Sequence, residues 1–362
     1  MNKNRRFLAL SIALAALPTQ AFELLPMASM DDNHVFKLEV LQVTDIEPYQ
    51  EALNGFLDTL KSQGIEQGKN LKVNRVRIDF DVENGGFWSR LGVLFRIRQE
   101  AARIAAVKPD LALTIGTPAT RHARGILEDA RVPVVFTAVA DPLEAGCASL
   151  NDGGPGVTGS TLYVDMRDSV RMVQQVFPAV KKIGMIHTDD ENGVANVAAA
   201  SSSASQIGMS VTARQVGKSD SIVPSLKAMF QDGKGVQMFA VPLDTYYGLH
   251  RYEPAIDLGE FGAAHQIPVV TLAMVHVPGA VMYVGADFRQ VGSLAGVQAG
   301  KILRNRTKPD VLPILRQKTP TMLIDPERAA ALKLDLPSAI LAHKTATRNG
   351  FWMVDWEQVR PQ

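Results

Sequence analysis

The chain has 362 residues, of which 46% are hydrophobic and 21% charged, with 38 lysines and arginines against 37 aspartates and glutamates. That length suits two domains of ordinary size. A net charge of +1 excludes the strong basic excess by which nucleic-acid binders attract phosphates.

At the N-terminus, MNKNRR carries Lys3, Arg5 and Arg6, and the apolar run FLALSIALAAL follows. PTQAFE then offers small residues at Thr19 and Ala21. This is the layout of a cleaved export signal, predicted over residues 1–21 with cleavage after Ala21. A membrane anchor fits less well, because a span needs about 20 apolar residues. The single cysteine, Cys147, lies far from the signal. It offers neither a lipid attachment point nor an internal disulfide. The mature protein is therefore expected to be soluble and periplasmic.

The predicted elements alternate. FKLEVLQV (36–43) reads as a strand, and Pro48 and Tyr49 open a helix to about Ser62 with Ala52, Phe56, Leu57 and Leu60 on one stripe. A strand is expected from Leu71 to Phe80 and a helix from Phe87 to Val107. LALTIG (111–116) is a third strand, Ala119 to Asp129 a helix, and VPVVFTAV (132–139) a fourth strand. NDGGPGVTGST (151–161) is rich in glycine and reads as a crossover. The series then restarts. VRMVQQVFPAV is helical and KKIGMIHT a strand, followed by helix ANVAAASSSASQIG, strand MSVTARQVG, helix SIVPSLKAMFQD and strand VQMFAVPLD. AIDLGEFGAAHQ is a helix and IPVVTLA a strand; MYVGADF, a helix from Gly292 to Arg304 and TMLID close the core. Near-continuous apolar strands alternating with helices predict an α/β fold: two doubly wound, Rossmann-like lobes with parallel sheets. The segment 81–98 and the tail 345–362, which holds two of three tryptophans, fit this scheme poorly.

In such sheets ligands sit beyond the carboxyl ends of the strands. There the first lobe presents Thr44-Asp45, Thr117-Pro118-Ala119 and Asp141; the second presents Thr188, Asp189, Asp190 and Glu191, then Asp244-Thr245 and Met274. Helix N-termini suit a ligand carboxylate, and Asp244 suits an ammonium group, so an amino acid would satisfy both. Each residue also has a plainer reading. Thr44 and Thr117 serve as helix caps, Asp141 before Pro142 as a turn residue, Asp189 to Glu191 as a solvated first turn, and Asp244 as a cap.

The known enzyme signatures are missing. IGTPATRHA and GVTGST lack the lysine of a phosphate-binding loop. No Gly-x-Gly-x-x-Gly follows the first strand, and there is no Gly-x-Ser-x-Gly elbow. The seven histidines form no metal-binding pair. Neither cofactor nor metal is expected, and no enzyme.

The ordered set LQVTDIEP, GFLDTLKSQGIEQGKNLKV, KPDLALTIGTPAT, VPVVFTAVADPLEAG, GVTGST, VPLDTYYG and GADFRQVGSLAGVQAGKIL, spanning about 36–340, resembles the substrate-binding family of ABC transporters. The resemblance is to its members that bind tryptophan or other aromatic amino acids. It implies a type I periplasmic binding protein: lobe one at 36–157 plus 283–308, lobe two at 162–280 plus 312–340, and a C-terminal extension at 341–362. Three hinge crossovers would lie near 158–161, 281–283 and 309–311. It places Thr117, Pro118, Ala119, Ala138, Val139 and Asp141 on one wall of the interlobe cleft. Thr188 to Glu191, Asp244 and Thr245 form the other wall. It further implies capture of a small ligand, an amino acid or related carboxylate, for an ABC permease in the inner membrane. A sensory protein presenting its closed form to a membrane receptor or sensor kinase is the alternative. Asp45-Ile46-Glu47-Pro48, Gly193-Val194 and Ala273-Met274 depart from the family pattern at positions that bear on specificity.

Overall fold

The computed structural model describes residues 34–43, 45–78, 87–347 and 349–359. The expected export signal and Thr44 lie outside the described residues. Alternating apolar strands and amphipathic helices build two sheets. The first series is β1 (Phe36–Val43), α1 (Glu47–Ser62), β2 (Leu71–Ile78), α2 (Phe87–Val107), β3 (Leu111–Ile115), α3 (Thr117–Asp129), β4 (Val134–Val139) and β5 (Val157–Thr161). The second runs α4 (Met166–Val176), β6 (Lys182–His187), α5 (Glu191–Ser205), β7 (Ser210–Gln215), α6 (Val223–Phe230), β8 (Met238–Val241), α7 (Glu253–Ala264), β9 (Val269–Thr271) and β10 (Met282–Gly285). The closing elements are α8 (Phe288–Asn305), β11 (Leu315–Arg316), β12 (Thr321–Ile324), α9 (Pro326–Ala331), α10 (Ser338–Ala342), β13 (Lys344–Ala346), β14 (Trp352–Val354) and α11 (Trp356–Val359).

The first sheet has the order β11-β5-β4-β3-β1-β2, and every neighbouring pair is parallel. The second has the order β13-β14-β12-β10-β9-β8-β6-β7. It is parallel from β7 to β10 and antiparallel through β12, β14 and β13. Apolar clusters cover both faces of each sheet, which is why the inner strands are buried almost throughout.

The chain passes between the sheets three times, at 162–165, 286–287 and 317–320, a few residues beyond the expected crossovers. The shift has a physical cause. VTGST reads as a polar linker, yet it forms the buried strand β5 because its own hydroxyls are satisfied. Thr158 Oγ1 donates to Leu312 O at 2.9 Å, Ser160 Oγ to Val291 O at 2.7 Å, and Thr161 Oγ1 to Val139 O at 2.7 Å. Likewise Met282–Gly285, assigned partly to lobe one, pairs within the second sheet, and Leu315–Arg316, assigned to lobe two, pairs within the first. The expected extension 341–362 contributes β13 and β14 to the second sheet, and buries Trp356 and Val359 in its core. Gln317 ties two crossings together. Its Oε1 accepts from Asp287 N at 2.9 Å, and its Nε2 donates to Thr319 O at 2.7 Å and Thr321 Oγ1 at 2.8 Å.

Helix α8 returns to the first lobe and packs on α1 at backbone contact. A methyl group on Gly292 would overlap the carbonyl of Ala52. Overpacking of this kind costs about 1–3 kcal/mol. Gly292→Ala should therefore lower stability by about 2 kcal/mol in urea denaturation; an unchanged midpoint would show that the two helices can part freely.

Candidate functional site

The carboxyl ends of the parallel strands in the two sheets face one another. Contacts between the lobes lie at these ends. Met274 and Val275, in the loop between β9 and β10, pack against the core of the first lobe. Arg121 on α3 lies 4.0 Å from Glu191 at the start of α5.

On the first lobe, β3 is followed directly by Gly116, whose φ of 89° and ψ of 158° belong to a region that only glycine enters without strain. Gly116 is the N-cap of α3, and Thr117 and Pro118 are the first helical residues. The N–H groups of Thr117 and Ala119 therefore have no acceptor within the helix and head outward from the strand end. Thr117 is not the cap; its Oγ1 instead accepts from Ala140 N at 3.4 Å. Ala138 has a φ of 54°, inside a register shift of β4 between Phe136 and Val139. Such a bulge re-aims the strand end, and it costs about 1–3 kcal/mol of backbone strain that the surrounding fold must hold. Buried Val139 anchors the same turn, its carbonyl accepting from Leu162 N at 2.8 Å. Asp141 closes its own turn, accepting from Leu143 N at 2.8 Å. Asp45 pairs with Arg75 and Arg77 on β2.

One residue absent from the predicted set sits at the centre of this wall. Tyr49, in the first turn of α1, lays its phenol against Gly116, so that a side chain at 116 would overlap its hydroxyl. Burial, and secondarily the charge of Asp190, push the phenol up to about 12. Tyr49 belongs to the first lobe and Asp190 to the second, so this coupling runs across the cleft.

On the second lobe, Asp190 caps α5. Its Oδ1 accepts from Asn192 N at 3.0 Å and Gly193 N at 3.4 Å, and its Oδ2 accepts from Thr245 Oγ1 at 2.8 Å. Asp244 is buried, with 9% of its surface exposed. It accepts from Thr188 N at 2.7 Å, Thr188 Oγ1 at 3.1 Å and Tyr246 N at 2.9 Å. Burial raises its carboxyl above the ordinary range, and those hydrogen bonds pull the other way. Gly193 is a glycine here because a side chain would overlap the Asp244 carboxylate.

The structure thus brings Thr117, Pro118, Ala119, Thr188, Asp244 and Thr245 to the facing strand ends, with Met274 between the lobes. Asp189 and Glu191 are the more exposed members of this turn. Asp189 pairs with Lys218 at 3.5 Å, and the Glu191 side chain is 78% exposed. Of the three acids, Glu191 approaches Arg121 at the rim of the first lobe, and Asp190, the middle one, bears on Tyr49 deeper in. The signal of Asp190 in the sequence was an aspartate directly ahead of a helix start, the pattern of an N-cap. Tyr49 had a signal too: Pro48 at the start of α1 fixes the first turn, and the next residue must lie near the strand end. A separate open groove beside β7, lined by Lys182, Ser210, Arg214 and Lys234 among others, lacks this convergence of strand ends.

Comparisons with known proteins bear on the fold and the family. A tyrosine-binding protein of Clostridioides difficile (strain R20291) is 24% identical over 85% of this chain and 84% of its own. The crystal structure of an ABC domain in complex with L-Trp from Streptococcus pneumoniae superposes with a TM-score of 0.68, at 22% identity, over 85% of this chain and 98% of that one. The ligand-free, open structure of a substrate-binding protein with adhesive properties from Clostridium difficile gives 0.69 at 22% identity, over 84% and 97%. These likenesses show the type I periplasmic binding protein fold. No helix among the described residues is long and apolar enough to cross a membrane. The profile of ABC transporter substrate-binding proteins matches residues 37–348, and with that match the chain belongs to the ABC transporter substrate-binding protein family.

Proposed function

We propose that this protein captures an aromatic amino acid in the interlobe cleft and hands it to the permease of an ABC importer, acting as an exported carrier without catalysis of its own. The observation that carries this reading is the opposition of two unlike walls. One is the N-terminal end of α3, where the N–H groups of Thr117 and Ala119 suit a carboxylate. The other bears the carboxylates of Asp190 and Asp244, which attract an ammonium group. A zwitterion spans the two. The aromatic preference is supported by a relative named for tyrosine and a neighbour holding L-Trp. Tyr49 and Met274 supply an aromatic face and a polarisable side chain beside the strand ends. Ligand contacts on both lobes favour the closed arrangement over the open one, and that difference is what a permease reads.

Calorimetry with L-tyrosine and L-tryptophan tests the proposal, alongside tyramine and 3-(4-hydroxyphenyl)propionate, which lack the carboxylate and the ammonium group respectively. The amino acids should bind and both truncated analogues should bind far more weakly. At about 100 times its Kd a true ligand adds about 2.7 kcal/mol of stability. Thr117→Val should weaken binding several-fold without lowering the melting temperature. Equal binding of the analogues, or no stabilisation by any amino acid, would overturn the reading.

A further inference from the structure

Glu191 does not face the inner cleft, yet it sits at the lobe boundary in an informative arrangement. Arg121, in the second turn of α3, is half exposed. One of its nitrogens, Nη1, lies 3.4 Å from Glu144 Oε2 on its own lobe and 4.0 Å from Glu191 Oε2 on the other. Neither carboxylate has another ion-pair partner among the described residues. The pairing within the lobe is the shorter, and the pairing between lobes stands at the outer limit of an ion pair. Burial, then the charges of Arg121 and Arg98, hold the His122 imidazole below its usual value. Across the gap, Asp189, Asp190 and Glu191 open α5 with three consecutive acids.

We propose that Arg121 exchanges partners as the lobes move: it is held by Glu144 when they are apart and passes to Glu191 when they close. The two carboxylates then set the balance of open and closed forms from opposite sides. Glu144 competes for the guanidinium and favours opening; Glu191 rewards closing. Neither needs to touch the ligand. The inference rests on the reading that the cleft closes on a bound molecule.

The physics sets both size and sign. Exposed ion pairs are weak and salt-screened, so each substitution should shift affinity roughly two- to five-fold. Glu191→Gln should weaken binding of L-tyrosine or L-tryptophan, whichever the wild type takes. Glu144→Gln should tighten it, since it frees Arg121 for Glu191. Arg121→Gln should weaken binding, and adding Glu144→Gln to it should then change nothing. High salt should erase these differences, and melting temperatures should stay together. The second readout needs no ligand. Spin labels at Asp129→Cys and Ser202→Cys, at the outer ends of α3 and α5, report the interlobe distance by pulsed electron resonance. Glu191→Gln should lengthen the mean distance and Glu144→Gln should shorten it. Shifts of the same sign in the two variants, or no shift in either, would overturn the exchange. If the wild type binds neither amino acid, the carrier reading fails and the distance measurement alone decides the exchange.

Discussion

Gly116→Val is expected to lower stability by about 4 kcal/mol and to abolish measurable ligand binding. Two costs combine. The backbone at 116 lies at φ 89° and ψ 158°, where a β-branched residue is strained by about 1–3 kcal/mol. The new side chain also collides with the hydroxyl and ring of Tyr49, an overpacking cost of about the same size. Relief of either clash turns the first N–H groups of α3 away from the cleft, which is why affinity should suffer beyond what lost stability explains. Urea denaturation and calorimetry on the same variant measure the two effects. A cycle with Tyr49→Ala separates them: removing the ring should recover the steric part and leave the backbone strain. A variant with wild-type stability would show that the glycine is dispensable and the Tyr49 contact loose.

Asp244→Ala should cost about 3 kcal/mol, because it leaves the N–H groups of Thr188 and Tyr246 buried without an acceptor. These two residues follow β6 and β8, so the loss loosens the cleft wall of the second lobe at two strands together. The pH dependence has a definite sign. Burial raises the Asp244 carboxyl above the free value of 3.8. The folded state then binds this proton more tightly than the unfolded state does. As pH falls from the raised value toward 3.8, this group adds stability. The alanine variant lacks that gain, so its deficit relative to wild type should widen on acidification through this window. A gap that narrows instead would mean that the hydrogen bonds, and not burial, dominate the carboxyl.

The architecture was legible because hydrophobic periodicity reports it directly. Helix α2 was expected from Phe87 to Val107 and occupies those residues. The strand ends were legible for the same reason. Elements that break the apolar rule were not. The buried strand β5 is written in threonine, serine and glycine, and its strand character depends on carbonyl partners at Val291 and Leu312, more than 130 positions away. At the site, residue type and position were readable but engagement was not. Asp45 and Asp190 are both aspartates near a strand end, yet one pairs with Arg75 and Arg77 and the other looks across the cleft. No spacing rule separates them, because the difference lies in which side chains of other elements fold against each one.

The wiring of the two sheets carries a consequence for how the protein is made. The first sheet is completed by β11 and backed by α8, and the second is completed by β12, β13 and β14. Neither lobe can finish until the last fifth of the chain has been synthesised, and β14 must then pair with both β12 and β13. Such distant pairings delay folding. A chain ended between residues 325 and 351 would carry β12 with the edge that β14 pairs left open, a template for aggregation.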